Sequence, residues 1–175
     1  MNFLTFGPFE LEEISAVAVD KLFGVVNAEK GGLADAIGVY IFAKRSGRGK
    51  LIPLYVGKTD RGFFRRIRPF LDKERFAGSL SKGDRINIFL IAHATSSKKL
   101  KKVTPKMRDS QRGMKSIDQL EFALIGSCIE LNPELINKRE SRFLRTLHVP
   151  GYWNSPAQER DASAKKLAAM LKITN

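Results

Sequence analysis

Two short runs decide how this chain folds: Gly38-Val39-Tyr40-Ile41-Phe42 and Ile52-Pro53-Leu54-Tyr55-Val56-Gly57. Both are rich in β-branched and aromatic residues, the composition of a strand. Between them lies the turn-forming stretch Ser46-Gly47-Arg48-Gly49. So short a connection predicts an antiparallel hairpin. Pro53 has no N–H to give a ladder and fits at the start of its strand or on an edge. Side chains alternate across a strand, so Val39 and Ile41 should oppose Tyr40, and Leu54 and Val56 should oppose Tyr55. Pairing of the two strands then sets both phenols on one face. Each tyrosine is tied to a glycine, Gly38 before Tyr40 and Gly57 after Tyr55. Glycine permits the close approach of a backbone or a phosphate.

Outward from the hairpin, residues 60–71 read as a helix whose apolar face carries Phe63, Phe64, Ile67, Phe70 and Leu71. Residues 85–92 read as a third, buried strand. Residues 96–115, Lys- and Ser-rich with Pro105 and Gly113, read as a basic loop. A helix is expected from Ser116 to Leu131. Ser116 and Gln119 have capping-box spacing, and Ile117, Leu120, Leu124, Cys128 and Leu131 form its apolar side. Asn132-Pro133 stops it. Residues 10–23 alternate acidic and apolar groups in a helical manner. Residues 156–172 read as a terminal amphipathic helix with Ala164, Leu167, Ala168 and Leu171 on one side. The expected fold is therefore α+β, a small three-stranded antiparallel sheet flanked by helices, with N- and C-terminal helical extensions. The expected division is an N-terminal extension (1–35) packed on the core, a central domain (36–140) and a C-terminal extension (141–175).

A chain of 175 residues suits one domain and can bury a core without disulfides or structural metals. The charge is the unusual quantity: 31 Lys and Arg against 18 Asp and Glu give +13. Residues 1–37 hold two basic and six acidic groups, residues 44–75 hold eleven and three, and residues 98–115 hold eight and one. The excess therefore lies in the middle of the chain, around the hairpin. Such an excess draws polyanions, nucleic acid above all. Anionic membrane is the rival, and no lipidation motif or basic amphipathic anchor supports it. Cys128 is the single cysteine, which excludes an internal disulfide and a cysteine-based zinc site, and its apolar neighbours suggest an inert core thiol. The opening residues lack a basic n-region, and no apolar run is long enough to span a bilayer. A soluble, cytoplasmic protein, monomer or homodimer, is expected.

Glu121 lies four residues after Ile117 and three before Leu124, at the edge of an apolar helix face. A carboxylate there is costly unless a Lys or Arg pairs with it or it binds a cation.

The ordered set Gly38-Val39-Tyr40, Tyr55-Val56-Gly57-Lys58-Thr59, an arginine on the next helix, Glu121-Phe122-Ala123-Leu124-Ile125 and Asn132-Pro133-Glu134-Leu135-Ile136-Asn137 resembles the GIY-YIG nuclease family over residues 36–140. The resemblance implies a metal-dependent endonuclease hydrolysing DNA phosphodiester bonds. Glu121 would be the carboxylate ligand of Mg²⁺ or Mn²⁺, with water and phosphate oxygens completing the shell. Tyr40 and Tyr55 would position or deprotonate the attacking water, an arginine would clamp the scissile phosphate, and Asn137 would belong to the hydrogen-bonded scaffold. The base stays open among Tyr40, Tyr55 and Lys58. An ordinary phenol, with a pKa of about 10, needs a nearby cation, and Lys58 needs burial to lower its own pKa.

The chain departs from the family pattern in two places. Val replaces Ile in both triplets, and the loop after Gly57 is one residue longer than in the shortest family forms, which leaves Arg65, Arg66 and Arg68 as candidates. With the apolar face centred on Ile67, Arg65 points away from the core, while Arg66 and Arg68 lie on the flanks, each about 100° from the centre. Arg66, directly before Ile67, fits the family pattern best. Arg65, Arg68, Lys98, Lys99, Lys101, Lys102 and Arg112 are expected to touch nucleic acid without base readout. His93 and His148 are expected to be structural, and Tyr152 and Trp153 to pack the terminal helix. The alternatives are a non-catalytic nucleic-acid-binding module on the same fold, or a basic RNA-binding protein; RNA is the less expected partner.

Overall fold

Strand pairing follows the apolar alternation of the hairpin and extends beyond it. The computed structural model describes residues 2–11, 13–29, 31–45, 49–71, 76, 78–96, 99–100, 111–137, 163 and 166. In chain order the elements are β1 (Asn2–Leu11), α1 (Ala16–Glu29), β2 (Gly38–Arg45), β3 (Leu51–Thr59), α2 (Phe63–Ile67), β4 (Arg85–Ser96), β5 (Lys99–Leu100) and α3 (Gln111–Leu131). The sheet runs β1-β4-β2-β3, antiparallel throughout, and the two-residue β5 pairs with β4. Residues 1–136 form one compact unit and residues 137–175 a second.

The α+β class and the antiparallel hairpin hold. Pro53 sits, as expected, in an edge strand, since β3 ends the sheet. The strand count does not hold: β1 adds a fourth long strand, from residues expected to belong to a helical extension. Its alternation is weak because Gly7-Pro8 interrupts it, and the pairing with β4 shifts register between Phe6 and Phe9. A Cβ on Gly7, whose φ is +107°, would lie 2.5 Å from the Ile88 carbonyl oxygen. The helix expected over 10–23 begins later. Leu11 still pairs with Ile86, and Ser15 caps α1, its Oγ accepting the Ala18 N–H at 3.1 Å.

The sheet has two apolar faces. Tyr40, Phe42, Ile86, Ile88 and Leu90 meet Val19, Phe23 and Val26 of α1 and Phe63 and Ile67 of α2. Val39, Ile41, Val56 and Ile91 meet Ile117, Ile125 and Cys128 of α3. The sheet is therefore a central layer between α1 and α2 on one side and α3 on the other. The middle helix is shorter than the expected 60–71. Gly62, at φ +94°, packs against the chain at Ala34 and Asp35, and the carbonyls of Ala36 and Ala34 accept the Phe63 and Phe64 N–H groups. These bonds replace a side-chain cap. α3 is longer than expected: it starts at Gln111, so Ser116 is a buried interior residue and not its cap. Gln, Arg, Met and Lys are good helix formers and carry it through Gly113. Leu131, placed on the apolar side by periodicity, is 72% exposed at the helix end. The expected terminal helix lies outside the described residues, apart from Ser163 and Lys166, which are helical.

Candidate active site

The site is built on β3, because helices from both sheet faces reach the end of that edge strand. Phe42 pairs with Tyr55 but Ala43 pairs with Pro53, so Leu54 is an inserted bulge residue. The bulge alters the expected alternation. Leu54 does not join Val56 but packs with Tyr55 on the face of Tyr40 and Phe42. It also exposes two carbonyls along the edge. Ile136 N–H donates to Leu54 O at 2.7 Å, and Asn132 Nδ2 donates to Pro53 O at 2.6 Å. Asn132 Oδ1 meanwhile accepts the Glu134 N–H. The turn after α3 is thereby fastened to the strand that carries the site.

The two phenols do share a face, their ring centroids 6.1 Å apart and their planes 27° apart. Phe70 packs on Tyr55 at 4.5 Å. Gly57 is the reason the rings fit: a Cβ there would lie 2.5 Å from both Cζ and Oη of Tyr40 and 2.6 Å from Cε1 of Tyr55. A Cβ on Gly38 would collide with the Ile91 carbonyl oxygen of the neighbouring strand. The Tyr40 side chain is fully buried; its hydroxyl lies beside the Arg66 guanidinium and the Tyr55 hydroxyl but makes no hydrogen bond of good geometry among the described residues. Burial, reinforced by the neighbouring Tyr55, pushes its pKa far above the usual phenol value, and Arg66 only partly opposes this. At neutral pH Tyr40 is therefore a hydrogen-bond donor and a poor base.

Beside this pair opens a cleft of about 510 Å³, lined among others by Lys58, Arg61, Arg65, Arg66, Asp118 and Glu121. Arg66 stands over the Phe70 ring with its guanidinium carbon 5.7 Å from the centroid, which stiffens it next to the phenols. Arg68 turns away to α1, where Nε and Nη2 donate to the two Asp20 oxygens at 2.7 and 3.1 Å. That fork holds the Asp20 carboxyl below its ordinary pKa. Of the three arginines, Arg65 and Arg66 thus line the cleft, and the nucleic-acid role expected of Arg68 is not what its contacts show.

Glu121 lies at the edge of the apolar face, its side chain only 15% exposed, and it is paired. Lys58 Nζ sits 3.0 Å from Glu121 Oε2 and 2.7 Å from Asp118 Oδ1. Burial works against the Lys58 charge, but the hydrogen bonds and charges of Asp118 and Glu121 outweigh it and raise its pKa. Of the alternatives left open for the base, Lys58 required a lowered pKa, and in this arrangement it is held as an ammonium. Asp118 went unnoticed in the sequence. Its signal was the i, i+3 spacing to Glu121, which puts two carboxylates on neighbouring turns of one helix face.

The remaining expected residues are scattered. Lys98, Lys101 and Lys102 lie outside the described residues, as do His148, Tyr152 and Trp153. Lys99 opens β5 and Arg112 lies in the first turn of α3. Asn137 is half-buried and is the first residue of the second unit. His93 is buried in β4, edge-on to Phe3 of β1 at 5.1 Å. Cys128 is a free, buried thiol, pushed up to about 11 by burial.

Among the described residues no three His, Cys, Asp or Glu side chains gather to hold a metal. The Asp118–Glu121 pair fits a hard, oxygen-seeking cation that keeps most of its shell as water or substrate oxygen, and the pair already holds the Lys58 ammonium. No helix among the described residues is long and apolar enough to cross a membrane. No protein-family model, curated protein or solved structure matches this chain, so the GIY-YIG resemblance rests on these residues and their arrangement alone.

Proposed function

We propose that the cleft is a phosphodiester-binding site of GIY-YIG type and that the chain is a divalent-metal-dependent endonuclease acting on DNA. The observation that carries this is convergence. Arg66 from α2, Lys58 from β3 and Glu121 from α3 line one cleft although they are far apart in the chain, and Arg66 ties that cleft to the stacked Tyr40 and Tyr55 of the hairpin behind it. Arg66 has no acidic partner among the described residues; its guanidinium stands beside the Tyr40 and Tyr55 phenols, where it would grip phosphate oxygens. Arg61 and Arg65 add positive charge along the same wall.

The residues divide the work by their chemistry. Arg66 holds the scissile phosphate against the tyrosine pair and neutralises charge growing on its non-bridging oxygens. Tyr40, kept protonated, donates a hydrogen bond and orients the attacking water or a phosphate oxygen. Lys58, drawn from its carboxylates towards the phosphate, supports the same anion. Glu121 would hold a divalent ion, Mg²⁺ or Mn²⁺, which would supply Lewis acidity at the scissile phosphate. Of the residues at hand, Tyr55 is left to take the proton from the nucleophile.

A second reading, a non-catalytic nucleic-acid-binding module, draws on one specific feature: Lys58 already neutralises Glu121. Supercoiled plasmid separates the two. Incubation with Mg²⁺ or Mn²⁺ should give nicked circles, and Glu121→Ala should abolish them. Retarded plasmid that is never nicked under either metal would favour the binding module. RNA incubated in parallel tests that substrate.

A further inference from the structure

We infer that the cleft takes one unpaired strand of DNA, its backbone along α2 and a base stacked on Phe122 at the α3 lip. This rests on the proposed phosphodiester-binding reading and names the form of its substrate. The two walls of the cleft carry opposite charge. Arg61, Arg65 and Arg66 stand on the α2 side, Asp118 and Glu121 on the α3 side. Lys58 offsets only one of the two carboxylates. A duplex brings phosphates on both of its strands, and one of the two backbones would face that negative wall. A single strand avoids the conflict: its phosphates lie on the arginines and its uncharged bases turn to α3. The volume, about 510 Å³, is that of a pocket for one small ligand, roughly 300–1,000 Å³. It suits a nucleotide of one strand and not the width of a duplex.

Phe122 supplies an independent observation. It is 49% exposed, the one aromatic among the exposed large apolar side chains of the described residues. It follows Asp118 by four residues, so it shares the Asp118 flank of α3, about 40° further around the axis. Leu120 and Leu124 take the other flank and pack on the sheet. Helix side chains lean towards the N-terminus, which sets the ring over the turn that holds Asp118. The far side of the ring is open. Gly126 lies one turn on, and a Cβ there would meet nothing within 4 Å. A basic track beside an exposed ring is the arrangement that holds unpaired strands: charge follows the backbone and the ring takes a base.

The test is fluorescence anisotropy of the full chain in EDTA, which withholds the metal. The probes are a labelled all-adenine DNA strand of about 12 nucleotides, an abasic strand of the same length, and the adenine strand paired with its complement. The parent should bind the adenine strand about tenfold more tightly than the abasic one, the worth of one stacked base. Phe122→Ala and Phe122→Leu should lose that difference and leave abasic binding unchanged, and Phe122→Trp should keep it. Arg61→Ala combined with Arg65→Ala should weaken both single strands alike. It should also lower the slope of log affinity against log salt by about 1.4, at about 0.7 for each phosphate. Equal affinity of the parent for adenine and abasic strands, or a Phe122→Leu variant that keeps the full preference, would overturn the role of Phe122. A duplex bound more tightly than the adenine strand would overturn the choice of a single strand. A protein that nicks no plasmid yet shows the expected pattern refutes the nuclease reading and keeps this one. A nuclease whose Phe122 variants bind the adenine strand as the parent does refutes this one alone.

Discussion

Gly57→Ala tests whether the tyrosine pair is held as tightly as its geometry implies. A methyl group at this position would fall 2.5 Å from two atoms of Tyr40 and 2.6 Å from one of Tyr55. Contacts need roughly 3.4 Å or more, the lower limit of ordinary packing between carbon atoms, so each ring must retreat by nearly an ångström. Neither has easy room. Tyr40 is fully buried against Phe42 and Phe70, and Tyr55 lies 4.5 Å from Phe70. Overpacking of this kind costs about 1–3 kcal/mol, and contact with two rings at once puts this site near the top, about 2–3 kcal/mol. For a chain of this size that lowers the melting temperature by about 5–10 °C. Urea denaturation monitored by circular dichroism gives the free energy directly. Activity should fall more than stability, since the displaced rings are those proposed to orient the reacting oxygen. A variant within about 0.5 kcal/mol of the parent, the scatter of neutral surface changes, would show that the rings yield freely, and the argument from their rigidity would collapse.

Other outcomes follow from the same contacts. Tyr40→Phe removes a buried hydroxyl without a well-formed hydrogen bond and should stabilise the fold by about 1 kcal/mol while lowering plasmid nicking by about a hundredfold; a less stable variant would mean that the hydroxyl is satisfied in the folded chain. Arg66→Ala should lose nicking, whereas Arg68→Ala, whose parent side chain faces Asp20, should change it less than about twofold; equal losses would refute the division of the arginines read from the cleft. Cys128 should resist a thiol reagent at pH 8 until the chain is unfolded. Because burial raises this thiol from 9.0 to about 11, the unfolded chain ionises first, so its stability contribution is complete below pH 9 and is lost towards pH 11. Cys128→Ala should flatten that part of the stability profile, and an unaltered profile would assign the alkaline loss to other groups.

What could be read in advance was local. The hairpin, the edge position of Pro53 and the apolar face of α2 all follow from alternation or periodicity within about a dozen residues. Helical geometry put Arg66 and Arg68 on the flanks of α2, and the family resemblance chose Arg66, which lines the cleft. What escaped depends on partners far away in the chain. β1 has weak alternation and becomes a strand only against β4. The bulge at Leu54 is a one-residue change of register that no composition marks, yet it moves Leu54 to the opposite face. Asp118 drew no notice in the sequence because its partner, Lys58, is brought beside it only by the packing of α3 on β3. Leu131 kept the period of its helix and still lies in the open, because the helix outlasts the sheet it covers.

The position of β1 bears on how the protein is made. Its partners run from Ile86, opposite Leu11, to Ala94, opposite Asn2, so β1 pairs with a strand made much later than itself. Until β4 emerges, β1 has no ladder to join. The hairpin of β2 and β3 can close meanwhile, because its strands are neighbours in sequence. Once β4 docks on β2, its outer side is a row of open amides and carbonyls for any strand that arrives first. β1 is thus a tethered competitor against other chains for that edge. A fusion that stiffens or masks β1 should lower soluble yield by promoting intermolecular pairing, even though the cleft beside β3 lies at the opposite edge of the sheet.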